Sequence, residues 1–361
     1  MYNALPQTYR EAALAELEDR ISAARTKLGE KLVILAHHYQ RLEVVKYGDH
    51  IGDSYGLSKI ASELEAAETI VFCGVHFMAE SADILAKPHQ TVFLPNPLAG
   101  CPMADMAQIA DVFSAWDDLQ AFGGAERITP ISYMNSAATL KAFCGEHGGL
   151  ICTSSNAKQA IEWAFGRREK VFFFPDRHLG YNTARGLGVT DDEMVIWDFT
   201  EPKGGLSDEQ IERAKVILWK GYCHVHMNFT AEHVRQMREK YPGIKILVHP
   251  ECSWEVVELA DAVGSTKFIV DYCEAQPPGS MIAIGTEINL IHRMAHTYPD
   301  KKIFELSGQT CPVCANMYRT TLNDLAYCLE NYPDMKPIRV PEKHKANARI
   351  ALERMIEVAS R

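Results

Sequence analysis

The 361-residue chain lacks long hydrophobic runs, and none approaches the length of a membrane span. Its N-terminus, MYNALPQTYREAALAELEDR, is charged almost at once and has no apolar core of signal-peptide length. These two absences predict a cytoplasmic protein with no membrane partner.

The chain also lacks a basic excess, because 37 Lys and Arg stand against 47 Asp and Glu, for a net charge of −10. General binders of nucleic acid or anionic membranes usually carry a basic surface, so the charge argues against both classes. An acidic protein can still bind anionic substrates through local donors such as helix N-termini. The composition, 47% hydrophobic and 23% charged, is typical of globular proteins, and the length suffices for two or three domains.

Cysteine, in contrast, is abundant, with ten residues in the chain. A disulfide framework is not expected in a reducing compartment. The alternatives are that cysteines serve as small buried hydrophobic residues or that some of them bind metal.

A repeat with three copies runs through the chain. Each copy begins with an apolar run that ends in polar residues, at 32–39, 128–135 and 244–251. In each copy a segment with a small hydroxyl residue follows. These residues are Ser54 in the first copy, Ser154 in the second, and Ser265 and Thr266 in the third. Two further apolar runs complete each copy, at 69–80 and 91–95, at 170–180 and 193–199, and at 281–291 and 302–306.

Each copy leads to a cysteine: Cys101 in AGCPMADM, Cys223 in KGYCHVHM and Cys314 in GQTCPVCANM. The spans 37–101 and 249–314 differ by a single residue, which supports a true repeat. The middle copy is longer by about 25 residues. We expect this insertion around 182–219, together with a capped helix that begins near Ser207.

Short apolar runs separated by helical stretches indicate βα units with parallel strands, and therefore an α/β fold. In open α/β sheets ligands bind at the carboxyl ends of the strands. We therefore expect three units whose strand ends face a common centre. The predicted domains are 1–125 with Cys101, 126–242 with the insertion and Cys223, and 243–361 with Cys314.

Helices are expected at both ends of the chain. A capping box at Thr8 and Glu11 predicts the start of an N-terminal helix, which Gly29 ends. A C-terminal helix should carry one apolar face, formed by Leu352, Met355, Ile356 and Ala359.

The cysteines at equivalent positions, Cys101, Cys223 and Cys314, suggest a metal centre, because thiolates favour zinc or iron–sulfur clusters. A structural zinc site would need a fourth ligand, such as Cys311 or His226. A [4Fe–4S] cluster with three cysteine ligands would leave one iron open as a Lewis acid. The C-x-x-C pair alone also fits a redox pair. The remaining cysteines are expected to be buried and inert, and these are Cys73, Cys144, Cys152, Cys252, Cys273 and Cys328.

Polar side chains that can donate, accept or transfer protons follow the first strand of each copy. They are His37, Tyr39, Tyr133, Asn135, His249 and Glu251. The hydroxyls of Ser54, Ser154, Ser265 and Thr266 stand where helices should begin, so capping and ligand binding are both expected roles. Three such helix starts suit a substrate with several carboxylates or phosphates.

Twelve segments between residues 32 and 317 resemble quinolinate synthase, in order along the chain. They read AHHYQ, GDSYGLS, GVHFMAES, PNPLAGCPMADM, YMNSAATLKAFCG, CTSSNA, FFPDRHLGYNT, GYCHVH, VHPEC, VGST, IGTEINLIHR and CPVCANM. The resemblance implies three pseudo-threefold-related α/β/α domains with short parallel sheets around a central [4Fe–4S] cluster. By motif position, the ligands of this cluster are Cys101, Cys223 and Cys314.

The resemblance also implies a transferase that condenses iminoaspartate with dihydroxyacetone phosphate to give quinolinate, phosphate and water, in de novo NAD biosynthesis. Functional coupling to L-aspartate oxidase would follow. Its site residues fall on His37, Tyr39, Ser54, Tyr133, Asn135, Ser154, His249, Glu251, Ser265 and Thr266. We assign proton transfer to Glu251 and His249, with His37 beside them, and placement of the intermediate to Tyr39 and Tyr133.

Two rival interpretations remain from the residues alone. One is a zinc-stabilised α/β protein with structural cysteines, and the other is a non-catalytic iron–sulfur redox sensor. The sensor leaves the polar strand ends unexplained, and neither the charge nor any motif supplies a DNA-binding segment.

Overall fold

The computed structural model describes residues 5–308 and 310–360. The chain forms two compact units. The first runs from the first described residue to Cys101 and adds Ile288–Leu290 and Val313–Pro341. The second contains Pro102–Glu287, Ile291–Pro312 and the chain from Glu342 onward. The three domain boundaries drawn from the repeat stay a prediction.

The strands form three parallel sheets. The first contains β1 (Leu32–His37), β2 (His50–Gly52), β3 (Thr69–Cys73) and β4 (Thr91–Phe93). The second contains β5 (Ile128–Tyr133), β6 (Leu150–Cys152), β7 (Lys170–Phe174), β8 (Met194–Trp197) and β9 (Val216–Trp219). The third contains β10 (Lys245–Val248), β11 (Ala262–Val263), β12 (Met281–Gly285) and β13 (Lys302–Glu305).

The strand order repeats from sheet to sheet: β2-β1-β3-β4, β6-β5-β7-β9-β8 and β11-β10-β12-β13. All paired strands are parallel, from β1 with β3 to β12 with β13. The central strands are mainly apolar, as expected for parallel sheets covered on both faces, and every residue of β3 and β7 is buried. The predicted α/β fold with three short parallel sheets is therefore confirmed.

Helices connect and cover the strands. In chain order they are α1 (Gln7–Arg10), α2 (Leu14–Leu28), α3 (Leu42–Val45), α4 (Ser54–Glu63), α5 (His76–Leu85), α6 (Pro102–Asp105), α7 (Ile109–Leu119), α8 (Gly124–Arg127), α9 (Ala138–Glu146), α10 (Ala157–Phe165), α11 (Arg177–Gly186), α12 (Asp208–Arg213), α13 (Ala231–Lys240), α14 (Trp254–Val257), α15 (Thr266–Ala275), α16 (Ile288–Thr297), α17 (Leu322–Asn331) and α18 (Glu342–Ala359). Across residues 5–308 and 310–360, no helix combines the length and apolar character that crossing a bilayer requires.

The insertion in the middle copy adds an edge strand. The sequence assigned the last strand of this copy to 193–199, but β8 lies at the sheet edge and pairs only with β9 among the described strands. The fully buried β9 takes the position that β4 and β13 hold in the other sheets, and it leads to Cys223. The capped helix is confirmed as α12, where Ser207 and Gln210 form a capping box.

The predicted start of the N-terminal helix is wrong. Thr8 lies inside the separate short helix α1, and the Glu11 carboxylate accepts from the Gln7 amide at 2.9 Å instead of capping a helix. The long helix α2 begins at Leu14 and ends at Leu28, directly before the predicted stop Gly29, whose φ of 53° favours glycine. Its apolar face is buried as expected at Leu17, Ile21 and Ala24.

The C-terminal helix α18 packs along α9 within the second unit. Its buried face includes Leu352 and Met355 as predicted, with Ala348, Ala351 and Val358 beside them. Ile356 and Ala359 are only half-buried, because the face is centred one residue away from its predicted position.

Candidate active site

The turn after β10 carries a histidine whose orientation the backbone fixes. The backbone N–H of Glu251 donates to Nδ1 of His249 at 3.3 Å. Because Nδ1 accepts, the hydrogen of the neutral imidazole resides on Nε2. That nitrogen lies 3.2 Å from the Ser154 hydroxyl oxygen and donates to it. Two predicted site residues from different copies of the repeat are thus in contact.

Glu251 forms the centre of a buried polar cluster in the second unit, with a residue exposure of 3%. The Tyr133 hydroxyl donates to its Oε1 at 2.5 Å, and Nδ1 of His226 lies 2.8 Å from its Oε2. Nε2 of His226 lies 3.1 Å from the Thr286 hydroxyl, which extends the cluster. The carboxylate therefore contacts a hydrogen-bonding group at each oxygen.

The electrostatics of this cluster favour an ionised Glu251. Burial raises the pKa of Glu251, but the positive charge that His226 and His249 carry when protonated, with the hydrogen bonds from His226 and Tyr133, outweighs it and lowers the pKa below its usual range. A buried carboxylate that stays ionised at neutral pH can accept a proton from a bound molecule.

His226 is the member of this cluster that sequence reasoning missed as a proton-handling group. The sequence suggested it only as a zinc ligand, three residues after Cys223. In the structure its ring stacks on His249, with centroids 4.4 Å apart. The signal in the sequence was the histidine pair of GYCHVH, but its partner Glu251 is set by tertiary contact alone.

Ligand atoms that could hold a metal ion lie beside the same carboxylate. The sulfur of Cys223, a ring nitrogen of His226 and an oxygen of Glu251 lie within 4.8 Å of one another. Thiolate, imidazole and carboxylate are ligands of zinc and of iron. The position of Cys223 is therefore suited to metal binding.

Exposure separates the predicted cluster ligands from the other cysteines. Cys101, Cys223 and Cys314 are half-exposed, and Cys311 is exposed. The six cysteines expected to be inert are all buried. Burial raises the pKa of the Cys73 and Cys273 thiols to about 12, and it raises the pKa of Cys144, Cys152, Cys252 and Cys328 as well. Metal binding needs a thiolate, so the half-exposed set fits an iron–sulfur cluster and the buried set does not.

In the first unit, the turn after β1 brings His37 and Tyr39 together. The backbone N–H of Tyr39 donates to Nδ1 of His37 at 3.1 Å, and the two rings lie 4.9 Å apart. His37 is buried, whereas Tyr39 is half-buried and presents part of its ring to solvent. These residues form a second polar strand end.

The turn after β5 is held by a buried lysine. The ammonium group of Lys141, which is fully buried, donates to the carbonyl oxygen of Met134 at 3.0 Å and to that of Ser136. These two carbonyls flank Asn135, which is half-buried. Asn135 therefore sits in a fixed turn directly after the strand that ends with Tyr133.

Of the predicted hydroxyl residues, Ser265 caps a helix. It is the N-cap of α15, and its hydroxyl accepts from the Phe268 backbone N–H at 3.3 Å. Thr266 is the first residue of the same helix and is buried. Both hydroxyls thus stand at a helix N-terminus, where free N–H groups can bind an anion.

Ser54 and Ser154 do not cap helices. Ser54 is the first residue of α4, and the cap is Asp53, whose carboxylate accepts from the Gly56 backbone N–H at 2.8 Å. Ser154 lies in the turn before α10, whose N-cap is Asn156. For these two residues the capping role is wrong.

A cavity of about 330 Å³ opens beside Ser154 in the second unit. Its lining includes Ser154, Lys158, Asn182, Trp254 and Gly264. This volume is in the range of small-molecule pockets. Because Ser154 also contacts His249, the cavity lies next to the buried polar cluster.

Comparison with known proteins identifies the family of the chain. Residues 19–357 match the model of the family described as quinolinate synthetase A protein. The chain is 53% identical to the quinolinate synthase of Acidobacterium capsulatum, over 95% of this chain and 93% of the relative. It is 49% identical to that of Corynebacterium glutamicum, over 98% and 90%, and 50% identical to that of Rhodopirellula baltica, over 97% and 93%.

Proposed function

This chain belongs to the quinolinate synthetase A family, and we therefore propose that it is a quinolinate synthase of NAD biosynthesis. The proposed reaction is a transferase reaction that condenses iminoaspartate with dihydroxyacetone phosphate and releases phosphate and water. Support comes above all from the buried Glu251 carboxylate, which Tyr133 and His226 hold on both oxygens.

Glu251 is the proposed base. Its lowered pKa keeps it ionised at neutral pH, so it can take a proton from the carbon or nitrogen of a bound enamine. Tyr133 and His226 contact the two oxygens of Glu251. They are the neighbouring groups through which the proton can return to the substrate. His249, with its hydrogen on Nε2, is the proposed donor toward the substrate, together with His37.

The anionic groups of the substrates are the proposed ligands of the hydroxyl residues. Ser265 and Thr266 stand at the N-terminus of α15, where free N–H groups and the helix dipole favour a carboxylate or a phosphate. We assign the same binding role to Ser54, Ser154 and Asn135. Tyr39 and Tyr133 would place the intermediate, because each is an aromatic side chain with a hydroxyl donor.

Cys101, Cys223 and Cys314 are the proposed ligands of a [4Fe–4S] cluster, which their shared half-exposure supports. When bound, a cluster with three protein ligands supplies an open iron that acts as a Lewis acid on a substrate oxygen. The proposed location is the cytoplasm, where reducing conditions keep thiolates available. Two-electron oxidation of aspartate gives iminoaspartate, so functional coupling to L-aspartate oxidase is part of the proposal.

Anaerobic assay of the holoenzyme tests the proposed function. Given dihydroxyacetone phosphate and freshly generated iminoaspartate, the protein should form quinolinate and contain about four iron atoms per chain. Protein that holds its full complement of iron and forms no quinolinate would contradict the proposal.

A second candidate, a zinc-stabilised protein, is favoured by the group of Cys223, His226 and Glu251. There the carboxylate would be a metal ligand and not a base. Glu251→Gln separates the two. Loss of about one zinc ion per chain supports the zinc site, whereas unchanged iron content with lost turnover supports the synthase.

A further inference from the structure

Helix α11 connects two segments that carry proposed functional residues. It follows β7 in the second unit, begins after the N-cap Asp176 and contains Asn182. One end of the helix contacts the segment of Cys223, and its middle contacts the turn of Glu251. Neither Asp176 nor Asn182 belongs to the site residues assigned above.

At its N-terminus, α11 binds the segment 221–223. Asp176 forms a parallel backbone bridge with Gly221, and the Arg177 N–H donates to the Gly221 carbonyl at 3.0 Å. A Cβ atom at Gly221 would lie 2.3 Å from the Pro175 carbonyl oxygen, so the approach is possible only for glycine. The backbone that leads to Cys223 is therefore tightly seated on the start of the helix.

The side chain of Asp176 reinforces this contact. It is fully buried, and its Oδ1 accepts from the Leu179 N–H at 2.7 Å. Burial and the charge of Glu251 raise the pKa of Asp176, while the backbone N–H groups of Leu179, His178 and Cys223 lower it. The cap thus fixes the start of the helix, whose backbone in turn bonds Gly221, two residues before Cys223.

In the middle of α11, Asn182 holds the Glu251 turn from both sides. Its side-chain NH₂ group donates to the carbonyl oxygens of Pro250 and Cys252, at 2.8 Å each. These are the residues directly before and after Glu251. With both hydrogens of one buried amide engaged, the turn has little freedom to shift relative to the helix.

The helix itself is pressed against the sheet. A Cβ atom at Gly180 would lie 2.5 Å from Cδ2 of Leu218 in β9 and 2.7 Å from Cδ1 of Phe173 in β7. Because α11 has no room to move toward the sheet, its hydrogen bonds hold both segments at a fixed distance from the sheet.

We infer that α11 positions both halves of the proposed chemistry, with Asn182 as a positioning residue for Glu251 and Asp176 as a positioning residue for Cys223. The inference rests on the proposed function. A displacement of about 1 Å at a reacting group can cost about 10²-fold in rate. The two residues act on different groups, so their loss should have different consequences.

The Asn182 variants test the contact between α11 and the Glu251 turn. In Asn182→Ala, kcat for quinolinate formation should fall by about 10- to 100-fold, while iron content and the visible spectrum stay unchanged. Asn182→Asp keeps the shape but replaces the donors with acceptors, and the same loss is expected. Amide hydrogen exchange of the holoenzyme should rise in the 249–252 segment for both variants.

The Asp176 variants test the contact between the start of α11 and the segment that leads to Cys223. Asp176→Ala should lower the iron content of anaerobically purified protein and speed amide exchange in the 221–223 segment. Asp176→Asn keeps an oxygen that caps the helix and accepts from N–H groups, so it should restore most of the iron. Tyr181→Phe, also in α11, serves as the control, because it keeps the ring and removes only the hydroxyl that donates to the exposed carboxylate of Asp191.

Unchanged amide exchange and kcat in both Asn182 variants would overturn the inference. So would a fall in kcat that merely follows lost iron or a lowered melting temperature to the same degree in the Asn182 and Asp176 variants. If the wild-type holoenzyme forms no quinolinate, the proposed function fails, and the exchange data still decide whether α11 holds the two segments.

Discussion

The turn after β1 and the turn after β10 use the same backbone device with different side chains. In each, a histidine at the strand end accepts a hydrogen bond at Nδ1 from the backbone N–H two residues later, His37 from Tyr39 at 3.1 Å and His249 from Glu251 at 3.3 Å. Both imidazoles thereby carry their hydrogen on Nε2 when neutral. The difference lies in the third residue, a half-buried phenol in one turn and a buried carboxylate in the other.

This difference shows how two copies of a repeated unit can take different chemical roles. The carboxylate of Glu251 contacts Tyr133 and His226, and the nearby imidazoles of His226 and His249, with the hydrogen bond from Tyr133, lower its pKa despite burial. The half-buried Tyr39 offers a ring and one hydroxyl. We therefore expect proton transfer at the β10 turn and substrate placement at the β1 turn, and variants of the two turns should behave differently.

The largest effect is expected from Glu251→Gln. Glutamine keeps the shape and some hydrogen bonding but removes the base, and general acid–base groups contribute about 10²–10⁴-fold. Turnover should fall within that range while iron content stays normal. Anaerobic quinolinate formation and iron analysis measure both. Near-normal turnover would rule out Glu251 as the base and move the proton transfer to His249, Tyr39 or His37.

A smaller loss is expected from His226→Gln. The variant keeps a polar side chain but removes the imidazole that contacts Oε2 of Glu251, and loss of such a supporting partner costs about 10- to 100-fold. The fall should appear in kcat. In Glu251→Gln the same second substitution should add little, because the two residues act as a unit. Full additivity of the two effects would show that His226 acts independently of Glu251.

At the other turn, Tyr39→Phe should mainly weaken binding. The change removes one hydroxyl, and a single hydrogen bond contributes about 0.5–1.5 kcal/mol, so KM should rise by no more than about tenfold. Steady-state kinetics should show kcat close to the wild-type value. A loss in kcat comparable to that of Glu251→Gln would mean that the two turns do not differ in role.

The smallest effect compares two serines at the starts of helices α4 and α15. Ser265 caps α15, whereas Asp53 and not Ser54 caps α4. Ser265→Ala should lower the free energy of unfolding by about 1 kcal/mol, and Ser54→Ala should leave it unchanged. Urea unfolding of the two variants measures this, and equal losses would contradict the assigned caps.

Much of the fold could be predicted from the sequence because the central parallel strands are continuous apolar runs. β1, β5 and β10 were found this way, and so were β3 and β7. The two- and three-residue strands β2, β6 and β11 were not, since they are too short to show a period and form only beside a neighbour. The role of β9 was missed because the more conspicuous run at 193–199 precedes it.

The candidate site shows the same limit. Tyr133, His249 and Glu251 were predicted from their places at strand ends, and the structure brings them together. The contacts of His226 and Asn182 with the Glu251 turn join residues far apart in the chain, so no local pattern reveals them. The Thr8 capping box failed because Glu11 binds the Gln7 side chain instead.

The most direct experiment concerns the three half-exposed cysteines that we propose as ligands of the metal cluster. Iron, sulfide and quinolinate formation should be measured in anaerobically purified Cys101→Ser, Cys223→Ser, Cys314→Ser and Cys311→Ser. We predict that the first three variants lose the cluster and the activity, while Cys311→Ser keeps both. A full cluster in Cys314→Ser, or its loss in Cys311→Ser alone, would contradict the assignment.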